Sequence, residues 1–298
     1  MKIGEKIKEI RLAKCMTQSQ LAGDCITRNM LSRIENGAAM PSLSTVTYLA
    51  GRLKVPVGYL LSEGDDEYIY RKINGIGNIK RALTDGDFAI CRDLCLSLGG
   101  EDDEINMILA QCLLGLAKDD FFYGRLRSAM RRFDEAREYD AKTIYGDGAV
   151  RAQALVYQHY MHKISATLMT DVTDSNINRS AAANDRICEY IMVLEASEAH
   201  PEIPVSSLLD SCNMEQSSPL STHIAARDAI RRHDYTEAQR RLHSILSMQE
   251  RIPDPVLYNV FFDLEICSKE TNNYRGAYEY SADKVNLLER MLTETEEM

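Results

Sequence analysis

Apolar residues in the first sixty positions recur with the period of short amphipathic helices. Ile3, Ile7 and Ile10 stand at i, i+4 and i+7, which places them on one helix face with lysines around it. Farther along, the same spacing predicts further inward-facing positions: Leu21, Ala22, Met30, Leu31, Ile34, Leu43, Val46, Leu49, Ala50 and Leu53. The pattern predicts five helices, the last a short one at Tyr59–Leu61.

Residues with capping chemistry mark where these helices begin and end. Thr17 and Gln20 fit a capping box, Thr27 and Ser42 fit N-caps, and Gly37 fits the left-handed position after a helix. The turn between the second and third helices is short. These two therefore form a helix-turn-helix, whose second helix can project into the major groove of DNA.

The rest of the chain keeps the helical period almost throughout and shows no convincing strand alternation, which predicts an all-α protein. One local unit recurs: a residue that tolerates positive φ, an Asp or Asn N-cap, an aromatic residue, and a small residue three positions farther on. It begins at Gly86, His233 and Asn272, and Phe133 starts a degenerate fourth copy. This unit ends one helix and begins the next, so we expect about five stacked helical hairpins.

The charge is divided between the two parts. The whole chain carries −10, but residues 1–62 hold nine basic and four acidic groups, a net +5, which leaves −15 for residues 63–298. Such asymmetry favours a nucleic-acid-binding module joined to an acidic partner domain. With the polar run at 62–67, it predicts a DNA-binding domain over 1–62, a linker over 63–70 and a helical repeat domain over 71–298.

Several other classes of protein fit the sequence poorly. The longest mostly apolar run, residues 108–117, is too short to span a membrane, and the charged N-terminus does not resemble a signal peptide, so we expect a cytoplasmic protein. Eight scattered cysteines suggest reduced thiols. Cys91 and Cys95 share a helix face, but a metal or redox pair there is the weaker interpretation.

No catalytic or metal-binding motif emerges, so we expect neither an enzyme nor a cofactor. Gly75-Ile76-Gly77 is followed by Lys80 where a dinucleotide-binding fingerprint has a third glycine. His159 and His162 lie three apart, but the sequence places no carboxylate motif beside them, and a surface or groove role is the preferred interpretation.

Motifs spread over residues 3–62 resemble the Xre or lambda-repressor-like family of DNA-binding domains. They are Thr17-Gln18, Leu21-Ala22, Ser32-Arg33-Ile34-Glu35-Asn36-Gly37, Pro41-Ser42-Leu43, Leu49-Ala50, Leu53 and Tyr59-Leu60-Leu61. The resemblance implies that the groove-facing side of the third helix carries Thr27, Arg28, Asn29, Ser32 and Arg33. It also implies phosphate contacts by Gln18 and Ser42, and a structural salt bridge between Arg11 and Glu35.

The chemistry of these side chains agrees with that implication. Arginine can donate two hydrogen bonds to guanine and asparagine can pair with adenine, so Arg28 and Asn29 are the expected base readers. Arg33 could lie over a base or over a phosphate. One such domain has too few base readers to specify a genomic site, so two are needed. This predicts a homodimer on double-stranded DNA.

The turn Gly23-Asp24-Cys25-Ile26 is one residue shorter than in many members of that family. It resembles the turn of Gram-positive, peptide-responsive quorum-sensing regulators with tetratricopeptide-like C-terminal domains. This resemblance implies a right-handed helical-hairpin solenoid whose groove binds a short signalling peptide. Asparagines there would bond the peptide backbone and aromatic residues would form side-chain pockets; the candidates are Asn106, Asn259, Tyr157, Tyr160, Tyr258 and Phe262.

For each of those six residues, ordinary packing between repeats is the alternative role. The sequence thus favours a transcription regulator whose repeat domain senses a peptide. A regulator whose repeat domain binds a protein partner is the alternative, and an enzymatic acidic domain is the weakest one.

Overall fold

The computed structural model describes residues 2–62, 65–165, 179–182, 184–212, 214–215 and 217–293. Within these ranges the chain forms helices and no strands, which confirms the all-α prediction. Contacts divide the chain into two compact units. One comprises Met1–Arg81 with Leu94–Gly100, and the other comprises Ala82–Asp93 with Glu101–Met298.

The first unit begins with the five predicted helices. They are α1 (Ile3–Ala13), α2 (Gln18–Ala22), α3 (Arg28–Glu35), α4 (Leu43–Leu53) and α5 (Val57–Leu61). The next helix, α6 (Asp65–Asp85), already includes residues 65–70, where the sequence suggested a linker.

Apolar side chains from all five helices form the core of this unit, including Ile7, Leu21, Leu31, Leu49 and Leu60. For two residues, Met30 and Leu43, the prediction that the side chain faces inward is wrong. Met30 is 36% exposed and Leu43 is 67% exposed. Each lies in the first turn of its helix, beyond the part of the helix that packs on the core.

Two glycines allow this packing. A Cβ atom at Gly4 would overlap the carbonyl oxygen of Ile34, so α1 can approach α3 closely only without a side chain there. Gly23 has φ +53°, and a Cβ atom at that position would overlap the hydroxyl of Tyr48. Glycine is therefore required at the turn between α2 and α3.

The second unit is built from helical hairpins. Its helices are α7 (Phe88–Ser97, shared with the first unit), α8 (Asp103–Phe122), α9 (Leu126–Lys142), α10 (Ala149–Ile164), α11 (Arg179–Ala182), α12 (Arg186–Ala199), α13 (Val205–Ser211), α14 (Pro219–Arg231), α15 (Tyr235–Ser247), α16 (Asp254–Glu270) and α17 (Tyr274–Leu292). Hairpins α8–α9, α14–α15 and α16–α17 have the most extensive contacts. Helices α10 and α12 connect the first of them to the second, and α15 packs on α16. The last hairpin also contacts the first, through α16 against α8 and α17 against α9.

The recurring turn unit is confirmed at three places. Gly86, His233 and Asn272 have φ values of 80°, 61° and 60°, and helices begin at Phe88, Tyr235 and Tyr274. The prediction of a fourth copy at Phe133 is wrong, because Phe133 lies inside α9. The corresponding turn falls at Gly124, with φ 76°, between α8 and α9.

Candidate nucleic-acid interface and ligand cavity

Hydrogen bonds fix the start of each helix of the helix-turn-helix. The Thr17 hydroxyl accepts from the Gln20 amide at 3.2 Å, and the Gln20 side chain accepts from the Thr17 amide at 2.7 Å. The Thr27 hydroxyl accepts from the Met30 amide at 3.1 Å. Both predicted caps are therefore present, and they define where α2 and α3 begin.

The predicted groove-facing residues lie on the outer side of α3 or at its N-cap. Thr27, Arg28, Asn29 and Arg33 are exposed, and Ser32 is half-buried. Within the described residues, the side chains of Arg28, Asn29 and Arg33 make no hydrogen bond or ion pair. Their donors and acceptors are therefore available to an external partner.

The two residues expected at phosphates differ in their surroundings. The Gln18 side-chain amide donates to Glu35 at 2.8 Å, which ties the first residue of α2 to the last residue of α3. Ser42 caps α4 by accepting from the Thr45 amide at 3.3 Å, so its hydroxyl lies at a helix N-terminus. That end of a helix attracts anions such as phosphate.

A buried ion pair joins α1 to the end of α3. Arg11 Nε and Nη2 donate to the two carboxylate oxygens of Glu35 at 2.7 and 3.0 Å. A third donor, Arg11 Nη1, reaches the carbonyl oxygen of Met16 at 2.8 Å. The bond to Glu35 raises the pKa of Arg11 despite the opposite effect of burial.

Sequence reasoning missed a second buried cation. Lys6 is 1% exposed, and its Nζ donates to the carbonyl oxygen and the hydroxyl of Ser62 at 2.6 and 2.9 Å. It also donates to the carbonyl oxygen of Tyr59 at 3.2 Å and lies 3.5 Å from a carboxylate oxygen of Glu67. Lys6 thereby holds the end of α5 against α1.

In the second unit, a cavity of about 280 Å³ brings together four of the six predicted ligand-binding residues. Its lining comprises Tyr160, Lys163, Ile164, Leu194, Glu195, Glu198, Arg227, Tyr258, Asn259 and Phe262. Aromatic and aliphatic side chains form its walls, and two ion pairs lie at its edge. Lys163 Nζ is 2.8 Å from Glu195, and Arg227 Nη1 is 2.6 Å from Glu198.

The other two predicted residues do not line this cavity. Tyr157 is 2% exposed, stacks on Phe133 with ring centroids 5.1 Å apart, and donates to Asp185 at 2.9 Å. Asn106 is 6% exposed, and its Oδ1 has no hydrogen-bond partner among the described residues.

A chain of buried polar contacts extends from the cavity across α10, α12, α14 and α16. Asn259 Nδ2 donates to the Tyr160 hydroxyl at 2.6 Å, and that hydroxyl lies 3.5 Å from the hydroxyl of Tyr190. The Tyr190 hydroxyl lies 2.7 Å from His223 Nδ1, and His223 Nε2 lies 3.0 Å from Asp263. Burial raises the pKa of Asp263, but hydrogen bonds and charge from His223 and Arg227 outweigh it and hold this pKa below its usual value.

No three metal-ligating side chains come together among the described residues. A carboxylate does lie near the histidine pair, since His159 Nε2 is 3.4 Å from Glu195. In the same part of the chain, no helix is long and apolar enough to cross a membrane.

Several solved structures are similar to this chain. PlcR of Bacillus thuringiensis, in complex with the peptide PapR7 and DNA, is 14% identical, with 98% of this chain and 99% of that chain covered and a TM-score of 0.24. ComR of Streptococcus vestibularis, in its apo form, is also 14% identical, with 96% and 97% covered and a TM-score of 0.25. ComR of S. thermophilus, in complex with DNA and its signalling peptide ComS, is 13% identical, with 96% and 99% covered and a TM-score of 0.22.

Among curated proteins, none matches the sequence significantly. The helix-turn-helix family matches residues 7–60, which include the buried ion pair, the capped turn and the exposed face of α3. The match is to the helix-turn-helix family model and is confined to this N-terminal segment.

Proposed function

We propose that the chain is a sequence-specific transcription regulator that acts as a cytoplasmic homodimer on double-stranded DNA. The observation that carries this proposal is the outer face of α3, where Arg28, Asn29 and Arg33 have no partner within the described residues. The Arg11–Glu35 pair and the Gln18 hydrogen bond hold this face in a fixed direction.

In this proposal, Arg28 and Asn29 read bases, while Gln18 and Ser42 contact phosphates. Thr27, Ser32 and Arg33 complete the contact surface. Two such domains would occupy two half-sites about one helical turn apart, because one domain offers too few base contacts to specify a genomic site.

Selection of binding sites from random DNA tests the base-reading residues. Each good base contact discriminates by about 1–3 kcal/mol, so Arg28→Ala with Asn29→Ala should flatten the selected sequence and leave salt-dependent nonspecific binding. Lys14→Ala, which removes one exposed charge from the end of α1, is the control and should keep the selected sequence. An unchanged sequence preference in the double variant would refute the assignment.

We also propose that the second unit, the helical body, binds a short peptide. The cavity supports this choice, because Tyr258 and Phe262 offer apolar surface beside the side-chain amide of Asn259, a group that can bond a peptide backbone. Tyr160 also lines the cavity but is itself largely buried, and neither Tyr157 nor Asn106 lines it.

Panning a random heptapeptide library against the full chain tests peptide binding. Tyr258→Ala and Phe262→Ala should weaken binding of the selected peptides, whereas Tyr274→Ala and Tyr278→Ala should not. The control residues are 69% and 77% exposed on α17 and do not line the cavity. Failure to select any peptide, together with capture of a protein partner that the cavity variants lose, would favour protein control instead.

A further inference from the structure

A second cavity in the helical body, of about 590 Å³, shares no lining residue with the first. It lies between α13, α14, α15 and the segment 201–204 that precedes α13. Its volume falls within the range of cavities that bind small molecules.

One wall of this cavity is apolar and firmly packed. It carries Ile203, Pro204, Val205 and Leu209, and the last two side chains are only 8% and 5% exposed. Val205 and Leu209 belong to the main hydrophobic core of the unit. A ligand would therefore meet mainly Ile203 and Pro204 on this side, with Val205 and Leu209 holding them from behind in the core.

Arginines on α14 and α15 and at the end of α14 also line the cavity, and they outnumber their carboxylate partners. Arg231 and Arg232 share Asp228, with Arg232 Nη2 at 3.0 Å from its carboxylate. Arg241 donates to Glu237 at 2.7 Å, but Glu237 also pairs with Arg240. Each carboxylate thus serves two guanidinium groups, which leaves an excess of positive charge.

The remaining acidic lining residue does not cancel this excess. Glu202 is exposed and lies 3.3 Å from His200. The cavity itself is therefore lined by three arginines and two acidic residues. This local positive charge is unusual in a segment that carries −15 over residues 63–298.

The arginines also retain hydrogen-bond donors. Within the described residues, Arg241 uses only its Nε, and the Nη1 of Arg232 has no partner. A guanidinium group with free terminal nitrogens matches the two oxygens of a carboxylate.

We propose that this cavity binds a small amphipathic carboxylate, with its apolar part against α13 and its carboxylate at Arg232 and Arg241. The charge of the arginines complements the head group, and the apolar surface of Ile203 and Pro204 complements the tail. This site is separate from the proposed peptide cavity, so either proposal can fail without the other.

Titration calorimetry of the full chain with octanoate tests the proposal, with 1-octanol and octylamine as neutral and cationic probes of the same length. Octanoate should bind most tightly. The double variant Arg232→Gln with Arg241→Gln should weaken octanoate binding about tenfold or more, because it removes charge-assisted hydrogen bonds, and should leave octanol binding unchanged.

The control is Arg275→Gln on α17, which removes a 90%-exposed arginine that is likewise paired with a glutamate. It should bind octanoate like the unmodified protein. Ile203→Gln, at the half-buried edge of the apolar wall, should weaken octanoate and octanol together. The proposal is overturned by equal affinity for octanoate and octanol, by a double variant that behaves like the control, or by no octanoate binding up to about 10 mM.

Discussion

The Arg11–Glu35 pair gives the sharpest test of how the helix-turn-helix is held together. We consider Arg11→Met, which keeps an unbranched apolar side chain and removes the charge. The variant leaves Glu35, whose side chain is 1% exposed, with Gln18 as its remaining hydrogen-bond donor. Because an unpaired buried charge is costly, the free energy of unfolding of the helix-turn-helix domain (the head, residues 1–62) should fall by about 3 kcal/mol, the lower end of the range for breaking a buried pair.

The double variant Arg11→Met with Glu35→Leu should lose less stability than the losses of the two single variants would suggest. It buries no unpaired charge, and its main losses are the hydrogen bonds to Met16 and from Gln18. Together these losses cost about 1–2 kcal/mol. The coupling between the two positions should therefore reach about 2 kcal/mol or more.

Hydrogen exchange of the α3 amides, measured by mass spectrometry, reports the stability of the head within the full chain. A loss of 3 kcal/mol should speed exchange about a hundredfold in Arg11→Met, provided these amides exchange through opening of the whole head. Arg33→Met, an exposed change on α3, should stay within about 0.5 kcal/mol of the unmodified protein. Additive single effects, or a loss below 1 kcal/mol in Arg11→Met, would refute this account of the pair.

Other close contacts should also be sensitive to substitution. Gly4→Ala should destabilise the head, measured by the same exchange, because its Cβ would overlap a carbonyl oxygen of α3. Lys6→Met should cost about 1–3 kcal/mol in the same assay, since the buried carbonyl of Ser62 loses its donor. Asp263→Asn should lower the free energy of unfolding, measured by urea titration with circular dichroism, because Arg227 loses a charged partner. The lowered pKa of Asp263 means that this difference should shrink as the pH falls below about 4, and a difference that stays the same at such low pH would contradict it.

Local chemistry explains which parts of the fold could be predicted. The caps at Thr17, Thr27 and Ser42 depend on residues three positions away, so the sequence contains all the information needed to place them. The same holds for the turns at His233 and Asn272, where a positive φ precedes an N-cap.

Contacts between distant segments could not be predicted in the same way. The ammonium group of Lys6 meets Ser62, 56 positions away, and Asn259 meets Tyr160, 99 positions away. Helical periodicity placed lysines around the apolar face of α1 and gave no information about the acceptors of Lys6. Periodicity likewise placed Leu43 inward, because it records the face of a residue and not how far the core extends along the helix.

The lining of the cavity that contains Asn259 was predictable only in part. Aromatic residues and asparagines on helices suggested candidates, but the sequence could not separate Tyr258 and Phe262 at the cavity from Tyr157 in the core. That distinction depends on which helices meet, since Tyr157 packs on Phe133 and bonds to Asp185.

The contact between the last and first hairpins has a consequence for how the helical body unfolds. In an open array each repeat touches only its neighbours, so unfolding can begin at an end and stop partway. Here α16 and α17 also contact α8 and α9, which gives the terminal hairpins extra partners. Fraying at either end therefore breaks contacts at both, and the hairpins should melt cooperatively rather than one at a time.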